Sequence, residues 1–407
     1  MKDRILQTLK EKKIVIWEES ARDGAQGKTI MDASDRIKVV RSSAAIFGES
    51  SIDHLVFAAG FPSICKEEFE TIREVVDNVD NCYLAPNCRS MEPEVQLCID
   101  SVKGAKYGRV AIVMPGSELL TQIMYHLPLI EGLKKNIEVV KYALDHSNGM
   151  PVDPQFTDIT ATEPEVLAEY INICHELGAA TICLADSFSR FYPETTGVYL
   201  KKLKKHIHPD IQLYTHFHND LGLALANNIE AVKNDVYLIS TSWLGLGERN
   251  GLLATELFLF LMAFEEDKLQ ERFGFKHSDF FKTKPDLRKL YETAHLVSKI
   301  TGIPLKVTDP IVGTGVNTIS TGTPFINPIA FQTFDTEKVL GAKQKVYASH
   351  LANSRVIIKV AENIGFNVNK DETKLILTHI KSQAYKLRKA VFSDEEIKDL
   401  ILKIRNA

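Results

Sequence analysis

"DIQLYTHFHNDLGLALANNIEAVKN", residues 210–234, carries both the fold signal and the chemistry of this chain. Its first half is a run of apolar, β-branched and aromatic residues ending abruptly in His218, Asn219 and Asp220. That is the signature of a buried strand meeting a loop. Its second half, "LGLALANNIEAVKN", repeats its apolar residues every three or four positions, as a helix on one face does. Strand, polar loop, helix is one unit, and the chain contains eight. The strands are "KIVIWEES" (13–20), "IDHLVFAAG" (52–60), "NCYLAP" (81–86), "GRVAIVMPG" (108–116), "MPVDPQFTDI" (150–159), "AATICLADS" (179–187), the stretch quoted above, and "DVYLISTSWLG" (235–245). A helical segment follows each, the last being "LLATELFLFLMAF". Strict alternation implies parallel strands with helical crossovers, and eight units in about 250 residues predict an α/β fold, a closed (β/α)8 TIM barrel. The rival is an open doubly wound sheet, which calls for a glycine-rich phosphate turn after its first strand; "ESARDGAQG" has no GxGxxG.

Alternation stops near residue 270. "SDFFKTKPDLRKLYETAHLVSKITG" (278–302) is expected to be helical and 304–328 a loop, with two further helical stretches running to the C-terminus. The expected organisation is a catalytic barrel over 1–270 and C-terminal helical subdomains over 271–407. The 407 residues carry 44% hydrophobic and 25% charged residues with a net charge of −4, and this gives no basic footprint for nucleic acid. The six cysteines are scattered without a CxxC pair and read as free thiols in a reducing compartment. The charged N-terminus "MKDRILQTLKEKK" lacks the apolar core of a signal peptide. The longest apolar run, "LFLFLMAF", is too short to span a bilayer. The expectation is a cytoplasmic protein without membrane or nucleic-acid partners.

Barrel enzymes work at the carboxyl ends of their strands. Those ends offer Glu18, Glu19, Arg22 and Asp23 after the first strand, Asp158 after the fifth and Asp186 after the sixth. His216, His218 and Asn219 end the seventh, and "GLGERNG" with Glu248, Arg249 and Asn250 follows the eighth. Residues i and i+2 of a strand point the same way, so His216 and His218 aim both imidazoles into the barrel mouth. A second His-x-His pair, His206 and His208 in "LKKLKKHIHPD", closes a lysine-rich helix at the opposite face and reads as a solvated helix end. Two imidazoles and a carboxylate suit Zn, Mn, Fe or Co as divalent ions, whereas Mg would rely more on oxygen. Asp23 is the natural carboxylate because the first and seventh strands are near neighbours in an eight-strand ring. Arg22 beside it reads as a clamp for a carbonyl or carboxylate oxygen, or as one half of an ion pair with Glu18 or Glu248.

These residues also carry a family likeness. "EESARDGAQ" resembles the D-T-T-L-R-D-G-E-Q stretch of the isopropylmalate synthase, homocitrate synthase and citramalate synthase family, barrel enzymes related to hydroxymethylglutaryl-CoA lyase. "HFHNDLGLALANNIEAV" resembles that family's H-x-H-N-D-x-G-x-A-x-A-N block, and "GLGERNG" its eighth-strand loop in the homocitrate synthase form. The tail, through "YASHLANS" and "RKAVFSDEEIKDLI", is similar to the synthases' own, which the lyases lack, and no regulatory domain is expected after it. The resemblance implies a metal-dependent Claisen-type condensation of an acyl-CoA, usually acetyl-CoA as co-substrate, with a 2-oxo acid, in a homodimer. It implies Asp23, His216 and His218 as metal ligands and Arg22 as the oxyanion clamp, with Gln26, Glu18, Asp158 and Glu248 on the substrate side.

The sequence departs from the family pattern in its proton-transfer half. Leu252 stands where many relatives place an asparagine ligand, Val312 and Asn317 replace the histidines of H-x-x-G-V-H, and Ala58 replaces the glutamate of E-x-G-F-P. The strand-five carboxylate pair is reduced to Asp158, displaced by one. His350, at the place of the histidine in G-K-H-S-G, is the surviving catalytic candidate of the tail, with Tyr347 behind it. Three readings follow: a condensing synthase with an unusual acceptor, a lyase or aldolase running the reverse chemistry at the same metal, and a non-catalytic metal-binding barrel.

Overall fold

The computed structural model describes residues 3–27, 29–319 and 332–406. Residues 320–328 of the expected loop lie outside them. Eight parallel strands organise the first part of the chain: β1 (Val15–Glu18), β2 (Leu55–Phe57), β3 (Tyr83–Leu84, resumed at Asn87–Arg89), β4 (Val110–Pro115), β5 (Val152–Thr157), β6 (Ile182–Asp186), β7 (Leu213–Phe217) and β8 (Leu238–Thr241). Neighbours in sequence are neighbours in the sheet, and β8 returns to β1 with Leu238 opposite Val15. The seam of the ring is β3. Pro86 has no N–H for a ladder and interrupts the strand. Even so, Val56 faces Tyr83 on one side, Asn87 faces Ala111 on the other, and the Arg109 N–H donates to the Leu84 carbonyl at 2.9 Å. The ring is closed, and the fold is the (β/α)8 barrel that the alternation predicts.

Each strand reads as near-continuous apolar sequence because both its faces are covered, one by the barrel interior and one by a helix. The crossover helices start and stop on local signals. Asp32 caps Ala33–Phe47 by accepting from the Asp35 N–H, proline opens Pro164–Leu177 and Pro193–Lys204, and Gly178 ends the former in the left-handed region. Besides short turns of five residues or fewer, two helices in the first part of the chain were not expected. Arg4–Lys10 precedes the barrel, and Glu118–Tyr125 is inserted between β4 and its crossover helix Leu129–His146.

Arg4–Lys10 belongs to the N-terminal face of the barrel. Its cap Asp3 also accepts from Arg109, which grips Asp153 of β5 through two N–H···O bonds of 2.9 and 2.7 Å. Beside it Asp53 takes the Arg4 and Lys282 side chains. Here the expectation of a helix over 278–302 needs correction: only Arg288–Thr301 is helical. Pro285 breaks the pattern, and the preceding segment runs irregularly across the barrel floor, where the Ile14 N–H donates to the Phe280 carbonyl and the Lys282 N–H to His54 Nε2. Arg288–Thr301 then packs on Ala33–Phe47, with Thr293 and Ser42 hydroxyls 2.7 Å apart.

The chain divides into two compact units, Met1–Pro304 and Leu305–Ala407, so that Arg288–Thr301 goes with the barrel. The second unit has its own core, built by Val356, Ile357, Val360, Ile376, Ile380, Ile397 and Ile401. Where two helical stretches were expected, the described residues form three helices of ten residues or more, Ser354–Asn363, Lys370–Leu387 and Asp394–Arg405, because Gly365 and Arg388 break the run in left-handed conformations. All six cysteines are free thiols. Among the described residues, no helix is long and apolar enough to cross a membrane.

Candidate metal centre

Strand alternation decides which side chains meet inside the barrel. Tyr214 of β7 stacks on Trp17 of β1, ring centroids 4.9 Å apart, and this fixes the phase of both strands. Two residues further toward the carboxyl ends, His216 meets Glu19, with Nδ1 3.5 Å from Oε1. Asp23 enters from the short helix Asp23–Gln26 behind Arg22. Its Oδ2 lies 3.4 Å from His216 Nε2, and His218 completes a group whose candidate ligand atoms all fall within 4.8 Å of one another. All three residues are buried.

The surrounding hydrogen bonds orient these groups. His216 Nδ1 sits 2.9 Å from the Ser240 hydroxyl, leaving Nε2 toward Asp23. The Glu248 N–H donates to Asp23 Oδ1 at 2.8 Å. Arg22 donates through Nε to Glu19 at 2.8 Å and through NH1 to Gln26 at 3.2 Å, and stands 3.1 Å from Asp23 Oδ2. Burial pushes the Asp23 and Glu19 carboxyls up, but Arg22 and His216 overcome it and hold both below the usual range. Burial lowers His216 too, and its contacts with Asp23 and Glu19 outweigh that and raise it. His218, by contrast, is pushed down to about 4 by burial and by His216, so it stays neutral. A neutral imidazole is the ligating form, and His218 Nδ1 is buried with no partner among the described residues. One carboxylate and two imidazoles with oriented outer partners fit a divalent ion such as Zn, Mn, Fe or Co.

The expected substrate-side residues divide. Arg22 and Gln26 adjoin the cluster, and Glu248 adjoins it through its backbone, with its side chain half exposed beside Arg249. The sequence reading set Glu18 here. The alternation of β1 turns its carboxyl instead to the Ser20 hydroxyl and N–H and the Trp243 N–H, and Glu19 takes the inward position. Ser240 and Tyr214 are the residues that sequence reasoning passed over, and Glu19, which it placed at the strand end, was given no role; the phase of Trp17, two before Glu19, was the available signal. Asp158 is buried on a left-handed backbone, accepting from Ser117 at 2.7 Å and Arg190 at 3.2 Å. Asp186 caps the loop after β6 through the Arg190 and Phe191 N–H groups. His350 lies in the second unit beside Tyr385, its Nδ1 buried with no partner among the described residues. His206 and His208 are about half exposed, as a solvated helix end should be.

A closed parallel barrel with a buried carboxylate and two histidines converging at its C-terminal face defines a (β/α)8 protein with a candidate divalent-metal site. The chain belongs to the HMGL-like family, whose model matches residues 13–297. Among curated proteins, a 2-isopropylmalate synthase of Saccharolobus solfataricus is 27% identical over 413 residues, covering 100% of both chains. Another, from Caulobacter sp., is 26% identical over 397 residues, 95% of this chain and 72% of its own length. Among solved structures, the HMG-CoA lyase of Brucella melitensis superposes with a TM-score of 0.55 at 18% identity, over 71% of this chain and 99% of the lyase.

Proposed function

We propose that this protein is a divalent-metal-dependent acyltransferase that condenses an acyl-CoA, acetyl-CoA in the first instance, with a 2-oxo acid to give a 2-hydroxy-2-substituted dicarboxylic acid. The observation that carries this reading is the meeting of Asp23, His216 and His218 beside Arg22 at the barrel's C-terminal face. The similar proteins named 2-isopropylmalate synthase support it, since they run the length of this chain, tail included.

Asp23, His216 and His218 would hold the ion, which when bound would supply Lewis-acid polarisation of a keto group. Arg22, fixed by Glu19, directs N–H donors at negative charge gathering on the keto oxygen, and Gln26 keeps the guanidinium turned toward the oxo acid. Glu248 orients Asp23 through its backbone N–H, and Asp158 with Ser117 and Arg190 shapes the mouth of the barrel. A base takes a proton from the acyl methyl group, whose carbon bonds to the keto carbon as the C=O π pair moves onto oxygen, and that oxygen takes up a proton to become the 2-hydroxyl. Water cleaves the thioester and releases the CoA thiol. For the proton transfer, the family resemblance points to His350. The same reading makes the protein a cytoplasmic homodimer, which light scattering tests.

The decisive experiment follows free thiol from acetyl-CoA with Mn, Mg or Zn across 2-oxo acids from glyoxylate to 2-oxoglutarate, hydroxyl- and carboxamide-bearing acids included. Thiol release that needs metal and acid together, and is lost in His216→Ala, is expected. Silence across the panel with metal-loaded protein sinks the reading, and unchanged release in His350→Gln removes that residue's assignment.

A further inference from the structure

The side chains directly beneath the metal cluster form an unusual barrel layer. Layers of a (β/α)8 barrel take four side chains from alternate strands and are mostly Val, Ile and Leu. Here the odd strands contribute Trp17 (β1), Asn87 (β3), Gln155 (β5) and Tyr214 (β7), all buried. They are joined across the barrel. Asn87 Nδ2 donates to Gln155 Oε1 at 2.9 Å, Gln155 Nε2 donates to the Tyr214 hydroxyl at 2.6 Å, and Tyr214 stacks on Trp17. The next inward residues on β1 and β7 are Glu19 and His216, so this layer is the floor on which the metal cluster stands.

The floor is not saturated. Asn87 Oδ1 and Trp17 Nε1 are buried with no partner among the described residues. Turning both amides over would satisfy Asn87 Oδ1 but leave its Nδ2 unspent, so one polar end of Asn87 stays open in either orientation. A buried unpaired amide end is expensive unless something meets it. Among the described residues the buried arginines are already paired, Arg22 to Glu19, Asp23 and Gln26, Arg109 to Asp3 and Asp153, and Arg36 to Glu68, and none of the three is free to meet a second carboxylate.

Resting on the synthase reading above, we propose that Asn87, held by Gln155, is a specificity-determining residue. The 2-oxo acid accepted by this protein carries an uncharged hydrogen-bonding substituent, a hydroxyl or carboxamide, that reaches the Asn87 end of the floor. Alkyl acids strand that polar end, and dicarboxylic acids bring a charge that Arg22 and Arg109, already paired, do not neutralise.

The test compares length-matched acids on Mn-loaded protein: 2-oxopentanoate, 4-hydroxy-2-oxobutanoate, 2-oxosuccinamate and oxaloacetate. Thiol release from acetyl-CoA gives kcat/KM, and calorimetric titration without acyl-CoA gives affinity. Wild type is expected to favour the hydroxy acid or the amide at least tenfold over the alkyl and dicarboxylic acids in both readouts. In the near-isosteric Asn87→Leu, the polar-to-alkyl ratio should fall at least tenfold while alkyl binding is kept. Equal or better binding of the alkyl acid or oxaloacetate by wild type overturns the floor proposal and leaves the synthase reading standing if thiol is released. Discrimination in binding without thiol release supports the floor and overturns the synthase reading. An unchanged ratio in a folded Asn87→Leu removes Asn87 from the role.

Discussion

Glu18 and Glu19 are adjacent, equally buried, and held in opposite charge states by what they face. Glu19 points into the barrel against Arg22 and His216, which keep it ionised. Glu18 points away from it; burial pushes its carboxyl up to about 8, against a downward pull from the Ser20 and Trp243 hydrogen bonds, and the nearby Glu19 charge adds to the rise. Its Oε2 has no partner among the described residues, and its charge helps to raise the thiol of Cys82, behind burial and Asp80. The sign follows from linkage. Between the ordinary carboxylate value and about 8 the folded state binds a proton that the unfolded state has lost, so stability from protonated Glu18 is complete below that window and drains away as pH rises through it. In urea unfolding, Glu18→Gln should therefore gain on wild type by on the order of 2–5 kcal/mol between pH 5 and pH 9. A constant difference across that range would show that Glu18 is ionised throughout. The histidine pair was legible at this scale because two residues of one strand share a face whatever the tertiary context. Which glutamate faces inward was not legible, because the phase of β1 is set by the Trp17–Tyr214 stack, a contact between residues 197 positions apart.

The strand-eight loop is the element that ties the cluster together. Its backbone returns to β7, with the Asn219 N–H donating to the Gly251 carbonyl and His218 bridged to Leu252, and Arg249 forks onto Asp220 with two 3.0 Å bonds. Gly251 takes φ +78, and a Cβ there would collide with the Gly245 carbonyl. At Gly247 the demand is space: a Cβ would lie 2.8 Å from Asp23 Oδ1, the oxygen that the Glu248 N–H orients. Gly247→Ala should displace the loop from Asp23 and weaken Mn binding about 10–100-fold by calorimetry, the usual effect of losing an outer hydrogen bond on a ligand. Gly48→Ala, with φ +56 and nothing within 4 Å, pays only local backbone strain and should leave Mn affinity unchanged. Equal affinity in both variants would show that the loop does not position Asp23. "GLGERNG" was readable as a motif, but the reason for Gly247 lies in the Asp23 carboxylate more than two hundred residues away, and that for Gly251 in the fold-back of the loop onto the Gly245 carbonyl. The misread segment before Arg288 fails for a related reason, since its aromatic residues follow the barrel floor they cover and not a helical period.

Across the whole molecule the barrel separates chemistry from stability. Alternation in the sequence was enough to reveal the closed ring, because parallel strands buried on both faces leave a continuous apolar trace. The plug of the N-terminal face was hidden, since Asp3, Arg109 and Asp153 are far apart in sequence and each alone resembles a surface charge. Arg109 is fully buried, with both carboxylates on it and Thr181 also donating to Asp153. Arg109→Met should strand the Asp153 charge and cost about 3–5 kcal/mol, toward the lower end because Thr181 still holds Asp153. Mn affinity of the folded fraction should not change, since the cluster stands at the other end of the strands. Arg22→Lys should do the reverse. A lysine cannot hold Glu19 and Gln26 and still offer a second donor to the keto oxygen, so thiol release should fall about 10²–10³-fold with Mn binding retained and the urea midpoint nearly unmoved. Measuring both properties in both variants tests the separation itself: loss of Mn affinity in Arg109→Met, or of stability in Arg22→Lys comparable to that in Arg109→Met, would mean that the two faces are energetically one structure.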